Sequence, residues 1–223
     1  MLFVALSSLQ GRPMARAFDE LASLEVGIQL TPGNIPTEGF HDHVKGSSVV
    51  TRRHHGFAFD ARKQPTWGAD GACLVDAESV HPPEAGECAG DWRAWYVAAS
   101  VRPIVEVMYP GYALGTGDEV ERAMADHLPL VVDVSHVHIQ RTQGAMTERV
   151  WRRLMDYAYI AELHVSANAG RHDTHEPLRA DTFGLAWARE RSRELPLVLE
   201  CYMHRLSVDE RRRQIDLVRG ELT

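Results

Sequence analysis

The stretch "LVVDVSHVHIQRTQGAMTERVWRRLMDYAYIAELHVS", residues 130–166, decides the fold. It opens on an apolar run of strand character, "LVVDVSHVHI" (130–139). A helix-patterned segment follows at 147–158, and a second apolar run, "IAELHVS" (160–166), closes it. Strand, helix, strand in that order implies parallel pairing, because a hairpin needs no helix between its strands.

The alternation extends in both directions. Further strand-length runs stand at 2–6, 26–32, 48–54, 72–80, 103–109 and 196–202. Helical patterns stand at 14–24, 116–127, 182–195 and 207–222. Thr116 lies three before Glu119, and Ser207 three before Glu210, the spacing of a capping box that satisfies the free N–H groups of a first helical turn. Eight strands with a final helix are the count of an α/β (β/α)8 TIM barrel; an open doubly wound sheet is the rival. The barrel is compact, with short or missing helices in its first half. "GNIPTEGFHDHVKGSS" (33–48) and "DARKQPTWGADG" (60–71) hold no convincing helix. No repeat or linker composition divides the chain, so residues 1–223 read as one domain.

Composition sets bounds. The chain has 223 residues, 44% hydrophobic and 25% charged, enough for a core without disulfides. A formal net charge of -7 gives no global basic field for nucleic acid, though a local basic groove stays open. Three scattered cysteines (Cys73, Cys88, Cys201) without CxxC spacing point to a reducing compartment, the cytoplasm. No run of about 18 apolar residues is present to span a membrane.

In a TIM barrel, function gathers at the carboxyl ends of the strands. Here those ends carry charge. Glu106 stands in "IVEVMYP", Asp133 and His136 in "VVDVSHVHI", His164 in "IAELHVS" and Glu200 in "LVLECYMH". The loop "NAGRHDTHEPL" adds Asp173 and His175; earlier strands end at His54, His55 and His81. A carboxylate inside an apolar strand is expensive to desolvate unless a cation compensates it. Singly, each residue also has a structural reading: Glu200 as an ion pair with an arginine, Asp133 as a turn cap, His81 as a loop residue. Together they converge on one rim, where carboxylate and imidazole suit zinc, manganese or iron. Gln29 at the end of the second strand and Arg171 in the Asp173 loop are candidate substrate contacts. His41, His43, His127, His138, His172 and His204 fall outside this set; His127 reads as a last-turn helix residue.

"HPPEAG" at His81, "VEVMYPGYALGTGDE" from Glu106, "VVDVSHVHI", "ELHVSANAGRHDTHEPL" and "PLVLE" ending at Glu200 resemble the xylose isomerase-like TIM barrels, and more closely their AP endonuclease family 2 branch. The resemblance runs from about residue 50 to 202, and the D-x-x-H plus D-x-H combination is its most specific part. It implies a bi- or trinuclear centre held by His54 or His55, His81, Glu106, Asp133, His136, His164, Asp173, His175 and Glu200, with "HGF" favouring His55. Two or three divalent ions per chain are implied, zinc first, with manganese or iron as alternatives. Phosphoester hydrolysis follows, with Glu106 and Glu200 catalytic. No arginine-rich or aromatic loops for gripping a flipped nucleotide are evident, which points away from abasic duplex DNA. The same architecture carries sugar isomerases and epimerases, and multinuclear non-heme iron oxidases that modify peptides. The expected partner is thus a small-molecule, phosphoester or peptide substrate. Nothing in the residues indicates an oligomeric state.

Overall fold

In a computed structural model, the chain is described at residues 1–87, 93, 96 and 102–221. The elements run β1 (Leu2–Ala5), α1 (Met14–Ala22), β2 (Gly27–Leu30), α2 (Phe40–Gly46), β3 (Thr51–Arg53), β4 (Ser79–Val80), β5 (Ile104–Val107), α3 (Gly117–Ala125), β6 (Leu130–Asp133), α4 (Val134–Thr142), α5 (Glu148–Met155), β7 (Ile160–Val165), α6 (Leu185–Arg191), β8 (Leu197–Leu199) and α7 (Val208–Arg219). Cys88 and Leu222 lie outside the described residues. Among the described residues, no helix is long and apolar enough to cross a membrane.

Eight parallel strands form one sheet in the order β3-β2-β1-β8-β7-β6-β5-β4. Its two ends meet where His54, just past β3, bridges Ser79 of β4. The His55 N–H donates to the Ser79 carbonyl (2.9 Å) and the Glu78 N–H to that of Arg53 (3.1 Å). The sheet is therefore a nearly closed (β/α)8 barrel.

Period-two alternation sorts each strand's residues between the barrel interior and the helices. Val4, Ile28, Val105, Val132, Leu163 and Leu199 belong to the large apolar core shared with the helices. Phe3, Ala5 and Val198 form a separate cluster that fills the lower interior. α1 shows how the helices dock: Met14, Ala17, Phe18 and Leu21 are buried at helical spacing. A Cβ at Gly27 would stand 2.5 Å from the Phe3 ring. Gly27→Ala is accordingly expected to destabilise the fold by about 1–3 kcal/mol. The readout is a lower urea midpoint at unchanged slope; an unmoved midpoint would mean that Phe3 yields freely.

Both capping boxes are present, at Thr116/Glu119 and Ser207/Glu210. Three segments differ from the sequence reading, the first being 72–80, read as a strand but strand only at Ser79–Val80. Residues 40–46, read as loop, form α2, anchored by the buried Phe40. The run 130–139, read as one strand, is strand only to Asp133 and then turns into α4. The cause is the Asp133 side chain, which caps the helix by accepting from the Ser135 N–H at 2.6 Å. A run buried on nearly every side has no apolar period to separate strand from helix.

Candidate metal centre

The upper interior of the barrel is built around the carboxylate of Glu106, which is fully buried on β5. Its Oε2 lies 3.2 Å from His54 Nε2, 3.5 Å from His81 Nε2 and 3.4 Å from His164 Nδ1. Its Oε1 lies 3.1 Å from His136 Nδ1. His164 Nδ1 also faces Glu200 Oε1 at 3.3 Å. These residues come from β5, from the ends of β3, β4, β7 and β8, and from the first turn of α4, all at one rim of the barrel.

The D-x-x-H pair follows from the helix start. Asp133 uses Oδ1 to cap α4, which leaves Oδ2 facing His136 Nε2, one helical turn on, at 3.6 Å. His136 Nδ1 lies 3.1 Å from the Val107 carbonyl, an acceptor, so that nitrogen carries a proton and Nε2 is the one that would meet a metal once its own proton is lost. Asp173 Oδ2 completes this corner, 3.2 Å from His136 Nε2 and 3.0 Å from His175 Nε2. The loop carrying Asp173 and His175 is pinned by paired backbone bonds between Ala167 and Glu176 (2.9 and 2.7 Å). His175 has φ +46°, a region that L-residues seldom occupy and that costs on the order of 1–3 kcal/mol. The turn is held there by its surroundings, including the Tyr202 N–H donating to the His175 carbonyl at 2.8 Å.

One layer below sits Glu162, which the sequence reading missed. It is fully buried, two residues before His164 and on the same face of β7. Its Oε1 accepts from Gln29 Nε2 (2.8 Å), Ser79 Oγ (2.9 Å) and His164 Nε2 (2.7 Å), while Arg52 faces Oε2 at 2.5 Å. Burial would raise its pKa, but the bond from His164 and the charges of His164 and Arg52 hold it down to about 2. The signal was in the sequence: Glu162 is a charge inside an apolar strand, the same test that singled out Glu106.

Three overlapping groups could each hold a metal ion: His54, His55 and His81; His54, Glu106 and His164; and Glu106, Asp133, His164 and Glu200. Within each group the donor atoms lie no more than 4.8 Å apart. Several of the converging atoms have ion-pair contacts but no hydrogen bond. His54 Nε2, both oxygens of Glu106, Asp133 Oδ2, His164 Nδ1 and Asp173 Oδ1 are buried without a hydrogen bond. Buried polar atoms left this way are costly unless something binds them. Mixed nitrogen and oxygen donors at these spacings fit zinc, manganese or iron.

The electrostatics divide the histidines. Burial lowers the pKa of His136 and His164, but Asp133 and Asp173 around the first, and Glu200 and Glu106 around the second, push both well above the usual value. His175 rises to about 8 despite burial, through its bond to Asp173. In the outer group the trend reverses: burial depresses His81 to about 3, and burial with the neighbouring His81 and His54 keeps His55 well below its ordinary value. Asp133 is raised by burial and by the nearby Glu106 and Glu200.

His54 points inward, 1% exposed, whereas His55 stacks on His81 with ring centroids 4.0 Å apart. Beside them opens a cavity of about 340 Å³ lined by Lys63, Trp67, Glu84, Glu87 and Tyr112 among others. Gln29 is buried beneath the layer of Glu106 and His54 with its amide given to Glu162, and Arg171 is exposed on the loop before Asp173. His138 is outside the centre: it bonds Asn168 Oδ1 at 3.0 Å and stacks on Phe183. His43 pairs with Asp19 on the surface. His127 stands past the end of α3 with φ +57°, not in its last turn.

No protein-family model matches the sequence, and no curated protein sequence matches it. Among solved structures, the TTHB071 protein from Thermus thermophilus, soaked with ZnCl2, matches with a TM-score of 0.54 at 15% identity. The match covers 100% of this chain and 99% of that one, so the likeness in fold extends over the full length of both.

Proposed function

We propose that this chain is a divalent-metal-dependent barrel enzyme with a bi- or trinuclear centre that hydrolyses a small phosphoester, as its resemblance to the AP endonuclease family 2 branch of the xylose isomerase-like barrels suggests. The observation that carries the reading is the sharing of donors. Glu106 and His164 belong to two of the three ligand groups, and His54 links the inner groups to the outer one. A barrel with one ion would not need three overlapping sets.

Bound divalent ions would lower the pKa of a water and neutralise phosphoryl oxygens. His54, His55 and His81 would hold the outer position. Glu106, Asp133, His136, His164, Asp173, His175 and Glu200 would hold the inner ones. Glu106 and Glu200 would also orient the attacking water. The adjoining cavity has the volume of a small-molecule site. Lys63 there could meet one phosphate, while Glu84 and Glu87 would repel a polyanion. That charge pattern favours a small ester over duplex DNA.

The experiment combines elemental analysis of protein purified without chelator with a substrate panel. Two or three zinc or manganese ions per chain, and chelator-sensitive hydrolysis of bis(4-nitrophenyl) phosphate, are expected. Interconversion of keto- and aldo-sugars with one ion, or oxygen uptake with iron, would replace this reading with isomerase or oxidase chemistry.

A further inference from the structure

We infer that Glu162 is the positioning residue that dictates which nitrogen His54 and His164 present to the metal centre. This rests on the metal-centre part of the reading above and not on the reaction proposed for it.

The argument is proton counting. An ionised carboxylate only accepts hydrogen bonds. Ser79 has one hydroxyl proton, and its Oγ lies 2.9 Å from Glu162 Oε1, so that proton points at Glu162. Ser79 Oγ must then accept from His54 Nδ1, 2.8 Å away, and His54 carries its proton on Nδ1. The lone pair falls on Nε2, the buried atom without a hydrogen bond that faces Glu106 at 3.2 Å. At His164 the carboxylate acts directly: Nε2 donates at 2.7 Å, so the proton given up on metal loading is the one on Nδ1, which faces Glu106 and Glu200. One anion thus orients two imidazoles with opposite tautomers, one through a hydroxyl relay and one by contact. The Gln29 amide is a third donor at the same oxygen, sharing it at 2.8 Å, and Arg52, positioned over the Phe3 ring at 5.8 Å, balances the charge from below. Outer partners of this kind fix ring orientation and raise the basicity of a ligand.

A plain structural role, a buried ion pair that only fills the barrel, predicts something different. It would alter stability and leave metal affinity alone. The test titrates zinc into the full chain against a chromophoric chelator, for wild type, Ser79→Ala and Glu162→Gln, with melting of the metal-free forms alongside. Glu162→Gln is expected to weaken zinc binding roughly 10–100-fold. Ser79→Ala, a small change that leaves the Arg52 pair intact, is expected to weaken it about tenfold without a comparable loss of metal-free stability. Should Glu162→Gln not fold, Ser79→Ala decides alone. Nitrogen-15 NMR of the zinc-loaded protein should show His54 bound through Nε2 and His164 through Nδ1. The opposite tautomers, or unchanged affinity in Ser79→Ala, overturn the inference while the metal centre stands. A wild-type chain that takes no zinc overturns both.

Discussion

Glu106→Gln is expected to remove at least one ion from the protein and to lower its metal-dependent turnover by roughly 10²–10⁴-fold. The substitution keeps the shape and deletes one charge. That charge is shared by His54, His81 and His164 at one oxygen and by His136 at the other. A neutral amide cannot bridge cations, and its NH2 group would be turned toward one set of lone pairs. The metal-free protein should suffer too. His136 and His164 are held protonated by the surrounding carboxylates, and removing one partner of a buried pair typically costs about 3–5 kcal/mol. Elemental analysis, turnover and thermal melting read the three effects separately. Full metal content with full turnover would remove Glu106 from the centre.

Metal affinity is expected to rise steeply with pH at the inner positions and hardly at all at the outer one. A ligand must lose its proton before it can bind, so a ring whose pKa is raised releases a proton on loading, and affinity grows as pH climbs toward that pKa. His136 and His164 are raised well above the usual value and His175 to about 8. His81, depressed to about 3, is already neutral at pH 7, and His55 is depressed in the same sense. Between pH 6 and 8 the inner affinity should therefore increase by about 10²-fold for each proton that an inner ion displaces. Calorimetry in buffers of different ionisation enthalpy counts those protons. The stability of the metal-free protein runs the other way. The contribution of His175 is full below pH 6.5 and is lost as pH rises through about 8. Metal-free protein should thus melt lower at pH 8 than at pH 6.5, by a few degrees, while loaded protein melts higher. Two binding phases with the same pH slope would contradict this division of the histidines.

Part of this site was legible one residue at a time. Glu106, Asp133 and Glu200 announce themselves as charges inside apolar strands, and the structure brings all three together with His164. Glu162 meets the same criterion, a charge inside an apolar strand. The partners that make Glu162 intelligible are remote: Gln29 is 133 positions away and Ser79 is 83. No local pattern links them. α4 was misread for a different reason. Its start depends on one side-chain bond, from the Ser135 N–H to Asp133, which an apolar run does not reveal. α2 is seven residues long, below the length at which periodicity gives a signal.

From the sequence alone came the alternation of strands and helices, the capping boxes at Thr116 and Ser207, and the residue types that gather at the strand ends. These are local properties, set by propensity and by period-two and helical spacing. Only the closed sheet decided which nitrogen of each imidazole faces the carboxylates, that His54 lies inside while His55 stacks outside on His81, and that Glu162 sits beneath both inner rings. Those facts depend on register between strands far apart in the chain. Register is set by the packing of the whole barrel, where a slip of one residue would turn Glu106, Glu162 and His164 outward.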